Sequence, residues 1–234
     1  MKKVSIVIPA KDEEKTIEMV LNSLRRIISS LRKKYAVEII VVADHCQDET
    51  AQIAKNMGAM VLRNKLMAGK GNALRAGFNK ASGDFLVTMD ADYSHRAEDL
   101  PKFLTALEDG AGLVVGSRIF GGSDEYTRIR AFGNILLTLT FGLFHGRYLS
   151  DALNGYKAFR REIYTDFKYT SSEFEIEIEL LVNTLRKKME IVEISSHERK
   201  RAGGEAKSKV IRHGLRFLWQ IIKEYLNDKF DEKN

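Results

Sequence analysis

A single cysteine, Cys46, stands in a chain of 234 residues, and that scarcity excludes two kinds of architecture. No intramolecular disulfide can form, and a zinc cluster built on several thiolates is not available, so a reducing compartment suits the chain and Cys46 reads as an inert small residue. Long apolar runs are missing as well. Residues 4–8 form an apolar run shorter than the roughly 7 to 15 residues of a signal-peptide core, which predicts no secretion signal. The longest apolar stretch elsewhere, residues 135–144, is interrupted by threonines and Gly142 and falls short of the roughly 20 residues that span a bilayer. The chain is therefore expected not to cross a membrane, although it can lie on one. No internal repeat, low-complexity segment or linker is visible. With 44% hydrophobic and 30% charged residues, one domain around one substantial core is expected.

The formal net charge of +6 suits nucleic acid, nucleotide phosphates or an anionic membrane face, and its sign alone chooses none of them. Position decides. Residues 4–8, 37–42, 59–62, 84–89 and 112–116 are short runs rich in Val and Ile, the pattern of strands buried on both faces. Helical patterns separate them: residues 13–31 place Ile17, Val20, Leu21, Leu24, Ile27, Ile28 and Leu31 on one stripe, and shorter amphipathic segments lie at 48–57, 70–81 and 98–108. Strands alternating with helices predict an α/β fold with a largely parallel sheet. The second half is less regular, with helices expected at 126–145, 173–188 and 209–226. Residues 174–179 alternate like a strand, but repeated Glu is poor in strands, and the helix is preferred.

In parallel sheets ligands bind beyond the carboxyl ends of the strands. Carboxylates recur there: Asp12, Glu13 and Glu14 after the first run, Asp44 and Asp48 after the second, and Asp90-Ala91-Asp92 after the fourth. Asp12 and Asp48 are equally readable as helix N-caps. Two carboxylates one residue apart at a strand end can both reach a hard divalent ion, Mg2+ or Mn2+, whose other positions take water and phosphate oxygens. Such an ion stabilises a departing diphosphate, the chemistry a nucleotide sugar needs. Gly69-Lys70-Gly71 sets a lysine at a helix start, where free amides and a cation suit phosphate, without the spacing of a P-loop or a dinucleotide fingerprint. His95, beside the metal motif, either touches the sugar or caps a turn.

Taken together, Ile8-Pro9-Ala10-Lys11-Asp12-Glu13-Glu14, Val42-Ala43-Asp44 with Asp48 and Thr50, Gly69-Lys70-Gly71 and Asp90-Ala91-Asp92 resemble the family 2 glycosyltransferases of GT-A (Rossmann-like) fold in order and spacing. The continuation Gly116-Ser117-Arg118, then 130–134, then 151–160, resembles the dolichyl-phosphate mannosyltransferases and related polyprenyl-phosphate hexosyltransferases. That resemblance implies a nucleotide-binding half (about 1–117) and an acceptor-binding half (about 118–234). It implies that Pro9, Ala10, Glu13 and Asp44 hold base and ribose, with Lys70 and Ala91 near the nucleotide, and that Asp90 and Asp92 bind the metal. It further implies that Arg118, Arg130, Asn134, Arg201 and Lys207 face the acceptor phosphate, with Asp92, Arg118 and Arg201 central to catalysis. Ser94 stands where some relatives carry a glutamine ligand, Lys11-Asp12 replaces a frequent Tyr-Asn, Ala43 replaces an acidic residue, and Ala206 departs from the serine of an R-x-x-G-x-S-K loop. A GDP or UDP sugar as donor and a polyprenyl phosphate as acceptor follow from the same resemblance.

A lipid-phosphate oxygen is already anionic near neutral pH and needs no protein base, whereas an alcohol acceptor needs one, for which Asp151 and Glu175 are candidates. The apolar residues of 131–149, preceded by Arg128 and Arg130, fit an interfacial helix at the cytoplasmic membrane surface, or packing against the sheet or a second subunit in a homodimer. Arg199, Lys200, Arg201, Lys207, Lys209, Arg212 and Arg216 can face anionic lipid. The competing readings are a soluble transferase acting on a hydroxyl, a sugar-nucleotide pyrophosphorylase, and a noncatalytic binding module. Nucleic acid is not expected as a partner: carboxylates crowd the strand ends, and no basic strand is interleaved with aromatics.

Overall fold

The computed structural model describes residues 1–125, 127–203 and 210–231. Its elements are β1 (Lys2–Ala10), α1 (Ile17–Leu31), β2 (Tyr35–Ala43), α2 (Thr50–Asn56), β3 (Met60–Arg63), α3 (Lys70–Lys80), β4 (Phe85–Thr88), α4 (Leu100–Glu108), β5 (Leu113–Ser117), α5 (Arg118–Gly121), α6 (Arg128–His145), β6 (Lys157–Arg160), α7 (Glu162–Thr165), α8 (Ile176–Arg186), β7 (Ile191–Ser195) and α9 (Val210–Asp231). One seven-stranded sheet runs β3-β2-β1-β4-β6-β5-β7. The first three strands step outward from β1, and the chain then returns to place β4 on the other side of β1, parallel to it. The crevice outside β1 and β4 is thus the point where strand order reverses, the standard ligand position in such sheets.

Alternating burial along β1 explains why both faces are apolar. Val4, Ile6 and Ile8 join a core layer with α1 and α4, while Val7 joins the opposite layer with α3, α6, α8 and α9. Two strands depart from the alternating pattern expected from sequence. β6 lies antiparallel between β4 and β5, and β7 pairs parallel to β5. In Lys157-Ala158-Phe159-Arg160 only two apolar residues sit between two cations, too short a run to read as a buried strand. The register Thr88↔Lys157 and Val115↔Lys157 brings the start of β6 to the edge where β4 and β5 end. The loops after β1, β2, β4, β5 and β7 and the loop before β6 therefore converge on one rim.

The helix preferred for the Glu-rich segment exists as α8, and almost every side chain along it is buried, Glu177 and Glu179 included. A helix buried all round loses the amphipathic stripe that marks a surface helix. In α6 the Thr127 hydroxyl accepts from the Arg130 amide at the N-cap, and Gly146, at φ 70°, ends the helix in the left-handed conformation. Among the described residues no helix is long and apolar enough to cross a membrane.

Helix α3 lies so close to the sheet that a Cβ at Gly77 would sit 2.3 Å from Cγ1 of Val7 and 3.0 Å from Cγ2 of Val42. Alanine improves helix propensity by up to about 1 kcal/mol, but overpacking against two β-branched side chains costs about 1–3 kcal/mol or more. Gly77→Ala is expected to lower unfolding stability by about 1–2 kcal/mol in urea titration, and an unchanged or raised midpoint would show that α3 stands off the sheet.

Candidate active site

Pro9, Ala10, Lys11, Glu13, Asp44, Lys70, Asp90, Ala91, Asp92 and Arg201 line one cleft of about 370 Å³ at this rim. All the nucleotide and metal candidates named from sequence are thereby brought together. Tight reversals follow three strands: Asp12, His45 and Tyr93 have φ of 51°, 55° and 66°, a conformation that costs non-glycine residues energy and is held here by the surrounding contacts. Asp44 ties the rim together, its Oδ1 accepting from Asn64 Nδ2 at 2.7 Å and its Oδ2 from the Gly69 amide at 2.9 Å. Glu13 is buried, with its amide donating to Thr50 Oγ1 and its carboxylate accepting from Thr16 Oγ1.

The two aspartates of Asp90-Ala91-Asp92 each face a cation. Lys70 Nζ lies 2.8 Å from Asp90 Oδ1, and Arg201 Nη2 lies 3.1 Å from Asp92 Oδ2. The second oxygen of Asp92 accepts from the Ser94 amide at 3.0 Å. His95 is buried and stacked on Tyr156, its Nδ1 accepting from the Asp90 amide at 3.1 Å while Nε2 faces the Asp90 carboxylate at 3.8 Å. Of the two roles open to His95 in the sequence, the structure gives it that of fixing the motif's turn. Burial alone would raise the Asp90 pKa, but Lys70, His95 and Arg201 hold it well below the usual carboxylate range. Burial likewise works against the Lys70 ammonium, and Asp90 with Glu177 more than offsets it, so its pKa is raised.

The Gly-Lys-Gly segment starts α3, as expected from sequence, and its glycines meet close neighbours. The backbone of residues 171–173 packs directly on it: a Cβ at Gly71 would lie 2.7 Å from the carbonyl oxygens of Ser171 and Glu173, and the Asn72 amide donates to Ser172 O at 3.1 Å. The glycines admit the backbone of that neighbouring segment, and Gly69 and Lys70 line the cleft. Gly155 plays a matching part, since a Cβ there would lie 2.4 Å from Lys70 Nζ. Behind Lys70 lies a buried carboxylate that sequence inspection missed: Glu177 is 3.4 Å from Lys70 Nζ and 2.9 Å from the ammonium of Lys157, itself fully buried. Glu173, Phe174, Arg212 and His213 complete the cleft wall and were also not singled out for it. Glu173 and Phe174 precede α8, and Arg212 and His213 lie in the first turn of α9.

Arg118, Arg130 and Asn134 do not line this cleft. Arg118 grips the fully buried Asp151 through Nε at 2.7 Å and Nη2 at 2.8 Å, with Nη1 3.4 Å from Glu198, and Asn134 Nδ2 donates to the same carboxylate at 2.8 Å. Burial would raise the Asp151 pKa, but Arg118 and Asn134 lower it. Asp151 is therefore a poor proton acceptor. Glu175, the other base candidate, is buried against Arg216. Arg130 is half-buried in the first turn of α6. Lys207 and Ala206 lie outside the described residues. The segment after β7 links both arginine sites: Glu198 reaches Arg118, the Arg199 amide donates to Ser94 O, and the Ala202 amide donates to Asp92 O.

Asp12, Cys46 and Asp48 also bring their side-chain atoms within 4.8 Å of one another. Asp12 accepts there from the Gln47 amide, Asp48 accepts from the Glu14 and Thr50 amides, and Cys46 Sγ donates to Ala10 O. Burial pushes the thiol pKa up, the wrong direction for a thiolate ligand. Asp48 thus caps the start of α2 and also ties the first two rim loops together.

Breaking a buried ion pair by removing one partner costs about 3–5 kcal/mol. Asp151→Asn, which leaves Arg118 without its carboxylate, is expected to lower unfolding stability by about 3 kcal/mol in denaturant titration, and a loss below about 1 kcal/mol would mean that the pair is solvated.

The model of the family described as Glycosyl transferase family 2 matches residues 5–167. The chain is 29% identical over 230 residues to a dolichol-phosphate mannosyltransferase of Pyrococcus furiosus, covering 94% of this chain and 64% of the relative, a little under two thirds of its length. It is 30% identical over 225 residues to a dolichyl-phosphate hexose transferase of Haloferax volcanii, covering 96% of this chain and 95% of the relative. Glucosyl-3-phosphoglycerate synthase of Mycobacterium tuberculosis, solved with phosphoglyceric acid, superposes with a TM-score of 0.73 at 25% identity over 97% of this chain and 79% of that one. The same enzyme solved with Mn2+, UDP and glucosyl-3-phosphoglycerate gives a TM-score of 0.70 at 24% identity, covering 97% and 79%. A reversing α/β sheet, paired aspartates at its switch point and a matching family model over most of the chain lead to one conclusion: this is a glycosyltransferase of GT-A fold and belongs to Glycosyl transferase family 2.

Proposed function

We propose that the enzyme transfers a hexose, such as mannose, glucose or an N-acetylhexosamine, from a UDP or GDP sugar to dolichyl or another polyprenyl phosphate. The transfer inverts the anomeric carbon and takes place at the cytoplasmic face of a membrane. The observation that carries this reading is the condition of Asp151. It is fully buried and held by Arg118 and Asn134, so it is not poised to take a proton from a hydroxyl, whereas a phosphate oxygen attacks without one. The names of the two archaeal relatives, both dolichyl-phosphate sugar transferases, support the acceptor class. The UDP and Mn2+ in the mycobacterial structure support a nucleotide donor with a metal.

In this reading residues 1–117 hold the donor and 118–234 the acceptor. Pro9, Ala10, Glu13 and Asp44 flank base and ribose. Asp90 and Asp92 fit Mg2+ or Mn2+, since they offer hard oxygens at a spot already attractive enough to hold an ammonium and a guanidinium. A metal bound there supplies the charge that stabilises the leaving diphosphate. Lys70 and Arg201 face that diphosphate from the cleft wall. Asp151, itself accepting from Asn134, fixes the guanidinium plane of Arg118, which with Arg130 and Lys207 receives the acceptor phosphate. A second reading has its own support in the mycobacterial enzyme solved with phosphoglyceric acid: transfer to a hydroxyl of a small acceptor, proceeding without lipid.

Membrane docking is supported by two exposed apolar stripes. Ile129, Phe132, Leu136, Leu139 and Leu143 run along α6, and Ile211, Leu215, Trp219, Leu226 and Phe230 along α9, all 44–81% exposed. Arg128, Arg130 and Arg212 stand at the starts of these helices, a basic border suited to anionic lipid.

Two outcomes follow. Asp92→Asn is expected to cut transfer by about a hundredfold or more with the fold retained. Arg118→Lys, which loses the two-pronged grip, is expected to lower transfer to polyprenyl phosphate by about ten- to a thousandfold with nucleoside diphosphate affinity little changed. Full activity of either variant in a steady-state assay removes that residue from the mechanism. The wild-type protein is also expected to sediment with anionic liposomes at low salt and to be released when Leu136, Leu139 and Leu143 are made polar. Protein that stays in the supernatant and runs as a dimer would assign the stripe to a homodimer interface.

A further inference from the structure

The aspartates expected to hold a divalent ion already face cations belonging to the chain, and that arrangement constrains how the ion can enter. Asp90 Oδ1 is 2.8 Å from Lys70 Nζ, Asp92 Oδ2 is 3.1 Å from Arg201 Nη2, and Glu177 Oε2 is 2.9 Å from Lys157 Nζ. Each of these carboxylates is thus already paired with a cation of the chain. A divalent ion added alone would bring two further positive charges beside Lys70 and Arg201 and would have to displace both from the oxygens it needs. A nucleotide-sugar diphosphate carries about two negative charges, so ion and donor arriving together leave the balance unchanged and give the displaced guanidinium phosphate oxygens to meet.

The structure also provides for the displaced lysine. Glu177 Oε1 is buried, has no hydrogen-bond partner, and lies only 3.4 Å from Lys70 Nζ. A buried carboxylate oxygen in this state is costly unless a donor completes it. A short swing of the ammonium from Asp90 toward Glu177 would free Asp90 and satisfy that oxygen at once, and the absence of a side chain at Gly155 leaves room for the movement. Arg201 is carried by the segment 199–202, hydrogen-bonded along the metal motif through Arg199 N to Ser94 O and Ala202 N to Asp92 O, with the Arg201 amide on Glu125. Its guanidinium can leave Asp92 while these backbone bonds keep it at the rim.

We propose that Lys70 and Arg201 act as internal counter-ions that block the metal ligands of the free enzyme, so that the divalent ion binds strongly only together with the donor diphosphate, with Glu177 receiving Lys70 as it leaves Asp90. This deepens the metal assignment made above and rests on it. The blocking keeps the empty enzyme from holding a bare ion and commits metal binding to the presence of donor. It also frees Arg201 to meet the diphosphate at the moment the ion takes its place, which makes Arg201 a contributor to donor binding as well as a gate.

The test is Mn2+ binding to the purified protein, followed by calorimetry and by the electron paramagnetic resonance signal of free Mn2+, without nucleotide and with UDP or GDP. Asp92→Asn supplies the background of Mn2+ held by nucleotide alone. The wild type is expected to bind Mn2+ at least about tenfold more tightly when one of the nucleoside diphosphates is present. Arg201→Gln, on a partly exposed side chain and so compatible with folding, is expected to tighten Mn2+ binding in the absence of nucleotide by about tenfold, as loss of a cation beside the ligands should, and to shrink the coupling. Glu177→Gln, with its fold checked by thermal melting, is expected to move Mn2+ affinity in the opposite direction. A purely structural role for these residues would not give opposite signs. Equal Mn2+ affinity with and without nucleotide in the wild type, or unchanged Mn2+ affinity in Arg201→Gln, overturns the proposal while leaving the metal site standing. Absence of specific Mn2+ binding under every condition overturns the metal site and this proposal with it.

Discussion

The site depends on one buried carboxylate. Glu177 is nearly inaccessible, at 1% exposure, and lies between the ammonium groups of Lys70 and Lys157. Isolated charges at such depth are prohibitively costly, and they persist only when paired. The pairing therefore fixes where α8, the start of α3 and the start of β6 can sit relative to one another. Lys70, held on one side by Glu177, reaches Asp90 on the other, so the same charge chain extends from the helical layer to the end of β4. The floor of the cleft is an electrostatic assembly whose members come from distant parts of the sequence.

Topology brings those members within reach. In a sheet ordered β3-β2-β1-β4-β6-β5-β7, the parallel strands end at one rim, and the single antiparallel strand begins there. This is why Asp44, Asp90, Gly155, Arg118 and the segment carrying Arg201 meet although up to 157 residues separate them in sequence. The rim is divided by charge. At the end of β4 Asp90 and Asp92 face cations, which in the proposed reading a metal and a diphosphate replace. Around Arg118 the buried Asp151 accepts from both the guanidinium and Asn134, and in the proposed reading this arrangement presents a guanidinium rather than a base to the acceptor.

Much of this was legible in the sequence because it rests on local patterns. The five Val- and Ile-rich runs became β1 to β5: the central β1, β4 and β5 are apolar because they are covered on both faces, while β3, at the sheet edge, is only partly buried. Asp90-Ala91-Asp92 could be located because it directly follows one of these runs. β6 and β7 were not legible: β6 carries two charges in four residues, and its Lys157 is buried only because Glu177 answers it, a pairing between residues 20 apart that no periodicity reveals. Gly69-Lys70-Gly71 marks a helix start in the sequence, and what the sequence does not show is that its glycines accommodate the backbone of residues 171–173. The demand for glycine was visible, while the neighbour making it was not. Asp151 looked like a possible base because composition shows a carboxylate and hides its arginine. The apolar stripe of α6 was visible as composition, but which of its residues face outward is set by packing against α9 and the sheet layer.

The account is tested most directly by the mass of the product formed when the purified enzyme is incubated with UDP and GDP hexoses, Mn2+ or Mg2+, and either polyprenyl phosphate or small hydroxyl acceptors. A hexosyl polyprenyl phosphate that forms with one donor and disappears on addition of chelator is the predicted result. Product found only on a hydroxyl acceptor, or a polyprenyl product undiminished by chelator, would contradict it.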